Sequence, residues 1–161
     1  LDLLRHYFQN LLVPEAVYQE CTVEGKGREE VALIQNSTWI VRVQPQNRNM
    51  VRLLQTDLDG GEAEAITLAS EIQANLILLD DADARQKARV LGLTITGTLG
   101  ILLRAKMDGK IVSFQQALEH LKNTGFRIHD TLAKDFLRKR ANQKLLGQCS
   151  LTDDMIFVVG R

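Results

Sequence analysis

The chain has 161 residues, of which 45% are hydrophobic and 25% are charged, proportions that are typical of one water-soluble globular domain. Its 20 basic and 20 acidic residues give a formal net charge of zero, which excludes a strongly basic nucleic-acid-binding protein and leaves only a local patch for such a partner. Cys21 and Cys149 are too few and too far apart for a disulfide scaffold or a zinc knuckle, and no apolar run is long enough to cross a membrane, so we expect a cytoplasmic protein with reduced thiols.

The first third of the chain is predicted to alternate helices with short strands. Pro14 stands at a favourable first helical position, and Glu20 lies on the helix that follows it. By itself, Glu20 is typical of a solvated helix residue. The predicted elements are helices over 1–8, 15–21 and 29–35, a short helix or linker over 50–55, strands over 11–13 and 39–43, and loops at 25–27 and 45–49.

An acidic stretch over residues 57–83 is predicted to form a turn, a helix and a strand. The turn is predicted at Asp57, Asp59 and the Gly60–Gly61 pair, because glycine tolerates backbone angles that side chains forbid. Apolar residues at three-to-four spacing over 65–72 predict the helix. Leu76 to Leu79 form an unbroken apolar run, which indicates a strand that is buried on both faces.

Carboxylates gather where these elements begin or end. Asp80 and Asp81 follow the strand, and the helix can fold Glu62 back toward the same edge, beyond which ligands bind in open α/β sheets. Carboxylates held close together repel one another, so they take up protons or bind a cation. Oxygen ligands favour Mg²⁺ or Mn²⁺ over zinc. The alternative is that these acids only cap helices and form a turn.

The rest of the chain continues the alternation. Gly97 to Gly100 precede a helix and could bind an anion, but they lack the lysine of a phosphate loop, so close packing of strand against helix is favoured. The order of strands and helices predicts an α/β fold with a parallel sheet covered by helices. The predicted elements are helices over 84–90, 97–106, 114–123 and 131–143, a strand over 93–96, and extended segments at 126–128 and 155–159.

The chain contains none of the common catalytic motifs. GxSxG, HExxH and Walker patterns are absent from the sequence, and the three histidines are scattered. The chemistry that remains is that of carboxylates and a metal ion.

The sequence resembles DUF3368, a PIN-like family. The resemblance is carried by the segments LDLLRHYF, LLVPEAVYQE, LDGGEAEAITLA, NLILLDDADAR, LGLTITGTLGILLRAKMDGKI and GFRI. Together they cover most of residues 1–140, and the run from GEAEAI through DDADAR to TGTLG is the most specific part. The resemblance implies a PIN-like three-layer α/β fold, with a central parallel sheet flanked by helices. It assigns residues 1–144 to that domain and residues 145–161 to a C-terminal extension.

The resemblance implies a metal-dependent ribonuclease that uses Mg²⁺ or Mn²⁺ and acts on RNA. Many PIN domains are toxins of a toxin–antitoxin pair, so an antitoxin protein and a homodimer are the expected partners. Glu20, Glu62 and Asp80 match the acids of the PIN site, and the register equally selects Asp81 as a metal ligand. These acids would bind the metal rather than act as acid–base groups. The secondary candidates are two further carboxylates and two phosphate-positioning side chains: Glu64, Asp83, Thr98 and Arg85.

One departure from the family pattern weakens the catalytic interpretation. Family members begin with a strand that ends in an Asp-Thr-Ser type motif, and this chain begins at Leu1, just after the place of that strand. Either the natural chain begins earlier, or the protein is a catalytically inactive PIN-like module that binds RNA or a protein partner. Residues 155–159 are a candidate to fill the place of the first strand, from the same chain or from a partner, although Gly160 follows them instead of an acid.

Overall fold

The computed structural model describes residues 1–24, 29–123 and 156–159. The chain divides into two compact units, one made of Leu1–Thr98 with Thr152–Arg161 and the other of Leu99–Leu151. Three predicted segments lie outside the described residues: the loop at 25–27, the extended segment at 126–128 and the helix at 131–143.

Helices and parallel strands alternate along the described chain, so the predicted α/β class is confirmed. The helices are α1 (Asp2–Tyr7), α2 (Glu15–Gln19), α3 (Glu29–Gln35), α4 (Arg48–Leu54), α5 (Gly60–Glu71), α6 (Ala82–Val90), α7 (Thr98–Met107) and α8 (Phe114–Asn123). The strands are β1 (Asn10–Pro14), β2 (Ile40–Val43), β3 (Leu76–Leu78), β4 (Ile95–Thr96) and β5 (Ile156–Val159). A π-helical turn, Glu20–Glu24, continues α2. Within the described residues, no helix is long and apolar enough to cross a membrane.

The strands form one sheet in the order β2-β1-β5-β3-β4, in which every neighbouring pair is parallel. Leu11 of β1 pairs with Ile40 on one side and with Phe157 on the other. Ile77 of β3 pairs with Val158 and with Ile95. The last strand of the chain therefore lies at the centre of the sheet, which agrees with the hypothesis that the C-terminal segment joins it.

Helix α5 and strand β3 form the centre of the hydrophobic core. Ile77 and Leu79 are each 1% exposed, as expected for an apolar run that is buried on both faces. The small side chains of α5 allow other elements to approach closely, and Ala63 and Ala65 are fully buried. Thr67 is also buried, and its hydroxyl donates to the Ala63 carbonyl at 2.8 Å, so burial leaves no polar group unpaired there.

The predicted turn ends earlier than expected. Residues 55–57 form a turn, but Gly60 and Gly61 belong to the first turn of α5. Asp59 is the N-cap of that helix, and its side chain accepts a hydrogen bond from the Glu62 N–H at 2.8 Å. The two glycines are therefore the first residues of a helix and not part of a turn. A Cβ atom added to Gly61 would lie 3.0 Å from Val17 Cγ2, so the absence of a side chain lets α5 approach α2.

The predicted strand over residues 93–96 is also too long, since only Ile95 and Thr96 pair with β3. The preceding residues end helix α6 instead. Gly92 adopts a φ of 75°, its N–H donates to the Arg89 carbonyl, and the Leu93 N–H donates to the Ala88 carbonyl. This is the Schellman pattern of a helix end, which takes the backbone donor of Leu93 away from the sheet.

Two helix boundaries differ from the prediction for local reasons. Helix α4 begins at Arg48, inside the predicted loop at 45–49, because the Asn47 side chain accepts from the Met50 N–H at 3.0 Å and caps the helix. Helix α2 ends at Gln19, and the chain continues as the π-helical turn that begins at Glu20. Such turns occur frequently at functional sites.

Candidate functional site

The sheet presents the carboxyl ends of its parallel strands at one edge. Strands β1 and β2 lie on one side of β5, and β3 and β4 lie on the other. Sheets whose strand order reverses in this way bind ligands in the crevice beyond the carboxyl ends at the reversal. In this sheet the reversal falls beside β3, which is followed directly by Leu79, Asp80 and Asp81.

Glu62 is the most deeply buried carboxylate near this edge, with 7% of the residue exposed. It lies in the first turn of α5, where the positive end of the helix favours a negative charge. Its pKa is nevertheless raised from 4.5 to about 7. Burial is the largest cause, since it penalises the charged form, and the neighbouring carboxylates of Asp59, Asp81 and Glu20 raise the pKa further. A backbone hydrogen bond from Asp59 acts in the opposite direction.

The Glu20 side chain, in the π-helical turn that continues α2, lies beside the first turn of α5, which carries Glu62. A Cβ atom added to Gly61 would lie 3.2 Å from Glu20 Oε1 and 3.5 Å from Glu20 Oε2, so the Glu20 carboxylate is packed against the start of α5. Glycine at this position leaves room for that carboxylate next to Glu62. The structure thus brings together Glu20 and Glu62, two of the three residues predicted to be catalytic.

Asp81 lies on the Glu62 side of the acidic pair that follows β3. It is the N-cap of α6, and its Oδ1 atom accepts hydrogen bonds from the Asp83 N–H at 2.8 Å and from the Ala84 N–H at 2.9 Å. The same carboxylate raises the pKa of Glu62. Capping and membership of the acidic cluster therefore coexist in one side chain, although sequence analysis treated them as alternatives.

Asp80 points elsewhere. Its Oδ1 atom accepts from the Thr98 N–H at 2.9 Å, and its Oδ2 atom accepts from the Thr98 hydroxyl. It is not among the groups that shift the pKa of Glu62. The residues that the structure collects around Glu62 are therefore Glu20, Asp59 and Asp81, and we refer to these four as the acidic cluster.

Asp59 was missed as a member of the cluster, because sequence analysis interpreted it as part of a turn. The signal was present in the spacing of Asp59 and Glu62, since an N-cap acid followed three residues later by glutamate forms a capping box. A capping box holds its two side chains near each other at one helix end.

Three of the secondary candidates, Arg85, Thr98 and Asp83, lie near the end of β3. Arg85 Nη1 donates to the Leu79 carbonyl at 2.8 Å, and burial, followed by the neighbouring Arg89, lowers the pKa of Arg85. Thr98 is the partner of Asp80. Asp83 is exposed at the start of α6. Of these three residues, Asp83 is hydrogen-bonded to the side chain of a member of the acidic cluster: its N–H donates to Asp81 Oδ1.

Glu64 is not a member of the acidic cluster, but its side chain connects α5 to α2. Its Oε2 atom accepts from the Ala16 N–H at 3.1 Å, and its Oε1 atom lies 3.6 Å from Arg48 Nη1. Ala16 is in the first turn of α2, the helix that leads to Glu20. Glu64 therefore acts as a cap that α5 provides to α2, and it fixes the approach of the two helices.

We expect Glu64→Ala to lower the free energy of unfolding by about 1–3 kcal/mol, because it leaves the part-buried Ala16 N–H without its acceptor. Urea denaturation followed by circular dichroism measures the change. Glu64→Gln is the matched control, since its amide oxygen can still accept from Ala16, and it should lose less than half as much. Equal losses in the two variants would show that the charge of Glu64, and not its hydrogen bond, stabilises the protein.

The donor set of the acidic cluster fits a hard divalent cation. Four carboxylates supply only oxygen ligands, and the pKa of Glu62 is raised first by burial and then by the neighbouring carboxylates. As the described residues are placed, no group of three or more His, Cys, Asp or Glu side chains is arranged so that it could hold a metal ion. The donor chemistry is thus that of Mg²⁺ or Mn²⁺ ligands, whereas the spacing of the side chains is not that of an assembled site.

A family model described as DUF3368, a PIN domain, matches residues 1–142 of the chain. The match covers all the strands and helices of the first unit except β5, and it includes every member of the acidic cluster. A comparison with curated proteins found no match, and neither did a comparison with solved structures.

Proposed function

The chain belongs to DUF3368, a PIN-domain family, and from this premise we propose that it is a metal-dependent ribonuclease of PIN type. Family membership alone makes it a PIN-type, nuclease-like module. The observation that carries the finer proposal is the convergence of Glu20, Glu62 and Asp81 beyond the carboxyl end of β3. RNA is the proposed substrate because ribonuclease activity is typical of PIN domains.

Glu20, Glu62 and Asp81 would hold the ion, and Asp59 would add negative charge beside them. PIN domains generally depend on a divalent metal, and Mg²⁺ or Mn²⁺ suits a site of carboxylate oxygens. When bound, such an ion supplies Lewis-acid chemistry to a phosphodiester and lowers the pKa of an attacking water.

Glu62 couples ion binding to proton release. With its pKa near 7, the Glu62 carboxyl carries a proton in a substantial fraction of molecules at neutral pH. Glu62 would release that proton when it holds a cation, because only the ionised carboxylate is a good ligand. Burial at 7% exposure keeps bulk water from screening the group, so its interaction with the ion is strong.

Binding of Mn²⁺ and Mg²⁺, measured by calorimetry, tests the proposal. We expect wild-type protein to bind Mn²⁺, and Glu62→Gln and Asp81→Asn to weaken binding by at least about tenfold. Asp57→Asn is the matched control, since Asp57 precedes the same helix but pairs with Lys87 at 2.6 Å on the surface. This variant should bind Mn²⁺ as the wild type does.

Cleavage of a fluorescent single-stranded RNA then tests the activity. We expect cleavage that requires Mn²⁺ or Mg²⁺ and is lost in Glu62→Gln but kept in Asp57→Asn. A wild-type chain that binds no divalent ion at millimolar concentration would contradict the proposal and favour the alternative, a catalytically inactive module that binds RNA or a protein partner.

A further inference from the structure

Two adjacent aspartates follow β3, and they have different surroundings. Asp80 uses both carboxylate oxygens to accept hydrogen bonds from Thr98, one from its N–H at 2.9 Å and one from its hydroxyl. Asp81 uses a single oxygen for its two backbone hydrogen bonds. Hydrogen bonds to a carboxylate are stronger than those between neutral groups, so the pair that Asp80 forms with Thr98 is a firm attachment.

This attachment joins the ends of two neighbouring strands. The Leu79 N–H donates to the Thr96 carbonyl at 3.0 Å, and this is the last backbone hydrogen bond between the strand pair β3 and β4. Asp80 directly follows Leu79, and Thr98 follows Thr96 after the single residue Gly97. Their side-chain hydrogen bonds therefore extend the strand pairing by one step past the end of the backbone ladder.

Gly97 makes this closure sterically feasible. A Cβ atom added there would lie 2.7 Å from Asp80 Oδ1, 2.9 Å from Arg85 Nη1 and 2.9 Å from the Leu79 carbonyl oxygen. Any side chain at this position would push apart the groups that hold the two strand ends together. Arg85 adds a second attachment, since its Nη1 atom donates to the Leu79 carbonyl at 2.8 Å.

We propose that Asp80 is a positioning residue and that Asp81 alone of the pair is a metal ligand: Asp80 fixes the end of β3 to Thr98, and the fixed backbone directs Asp81 toward Glu62. This inference rests on the proposed function. Successive side chains of an extended chain point to opposite faces of a sheet, and Asp81 has extended backbone angles, so fixing Asp80 against Thr98 also fixes Asp81 with its side chain on the opposite face at the start of α6.

Substitution by asparagine distinguishes the two roles. In Asp80→Asn, the amide oxygen can accept from the Thr98 N–H and the amide nitrogen can donate to the Thr98 hydroxyl, so the attachment survives the loss of charge. In Asp81→Asn, the N-cap survives because asparagine caps about as well as aspartate, but the ligand charge is lost. Each variant therefore keeps the hydrogen-bonding capacity of its aspartate and loses its negative charge.

Calorimetric Mn²⁺ titration of the full chain provides the first readout. We expect the affinity of Asp80→Asn to stay within about threefold of wild type and that of Asp81→Asn to fall by at least about tenfold. Thr98→Val removes the hydroxyl donor and should weaken Mn²⁺ binding, whereas Thr98→Ser, the conservative variant, should restore it.

The double variant Asp80→Ala/Thr98→Val provides the second readout, because residues that act through one contact lose no more together than singly. Its Mn²⁺ affinity should match that of Asp80→Ala. Equal losses in Asp80→Asn and Asp81→Asn would overturn the inference and make Asp80 a ligand. Unchanged affinity in Asp80→Ala would show that the attachment positions nothing. Absence of Mn²⁺ binding in the wild type, by contrast, would overturn the proposed function itself.

Discussion

Val158→Pro is expected to destabilise strongly the unit that carries the acidic cluster. Val158 lies in β5, where it pairs with Leu12 of β1 on one side and with Ile77 of β3 on the other. Proline lacks the backbone N–H that the ladder needs, and its ring clashes with the neighbouring strand, so it is excluded from central strands. A cost of about 3 kcal/mol or more would remove a large part of the roughly 5–15 kcal/mol by which domains are stable.

Circular dichroism during urea denaturation measures this effect. Val158→Ala is the matched control, because it keeps the backbone donor and should leave a cooperative transition. If Val158→Pro unfolded at the same urea concentration as Val158→Ala, β5 would not be a central strand of the folded protein.

The position of β5 also gives the sheet its functional geometry. With β5 counted as the first strand, the order across the sheet becomes 3-2-1-4-5, the arrangement in which two halves of a sheet diverge from a central strand. The reversal of direction lies between β5 and β3, next to Asp81. Without β5, the strand pairs β1–β2 and β3–β4 would have no common neighbour. The segments that carry Glu20 and Asp81 would then no longer be held next to each other by one sheet.

Sequence periodicity identified the interior of the fold because burial imposes it directly. The run Leu76 to Leu79 could be assigned to a buried strand from composition alone, and Ile77 and Leu79 are indeed 1% exposed. Boundaries were less accurate, because they depend on local hydrogen bonds that compete with the main pattern. Leu93 is apolar and adjoins a β-branched segment, yet its N–H closes the end of α6 rather than joining β4.

The apolar residues of β5 suggest a strand, but they do not determine that it lies at the centre of the sheet. Strand order depends on which partners share register across the whole chain, and an apolar run carries no information about which neighbours it will have. The resemblance to a family with an earlier first strand supplied the idea of a gap to be filled. The parallel pairing with both β1 and β3 is information that only the structure provides.

The candidate site followed the same division. Carboxylates at a helix start and a strand end stand out in the sequence, which identified Glu62 and the aspartate pair, whereas Glu20 was supplied only by the resemblance to the family. Sequence analysis could not choose between Asp80 and Asp81, since the choice depends on one hydrogen-bonded partner, Thr98, that lies 18 residues away in the chain. The assignment of Asp81 as the ligand remains a prediction until metal binding is measured.

The buried charge of Glu62 leads to a further large effect: Glu62→Gln is expected to stabilise the protein above neutral pH. The folded protein binds the Glu62 proton with a pKa of about 7, whereas the unfolded chain binds it with the ordinary value of 4.5. A raised pKa in the folded state means that stability is highest below pH 4.5, falls as the pH rises between 4.5 and 7, and levels off above 7. The corresponding change in the free energy of unfolding is about 3 kcal/mol at most.

Glutamine cannot ionise, so Glu62→Gln should lose this pH dependence. At about pH 8 its free energy of unfolding should exceed that of the wild type by up to about 3 kcal/mol, and at about pH 4.5 the two proteins should be nearly equally stable. Urea denaturation at both pH values measures the difference, and Asp57→Asn, which removes a surface carboxylate, should show no gain in the free energy of unfolding.

Saturating Mn²⁺ at the higher pH should reduce the difference in the free energy of unfolding between the two proteins by stabilising only the wild type, since a ligand that binds the folded state raises its stability. A Glu62→Gln protein that is less stable than wild type at the higher pH without metal would show that the capping role of Glu62 outweighs the repulsion within the acidic cluster.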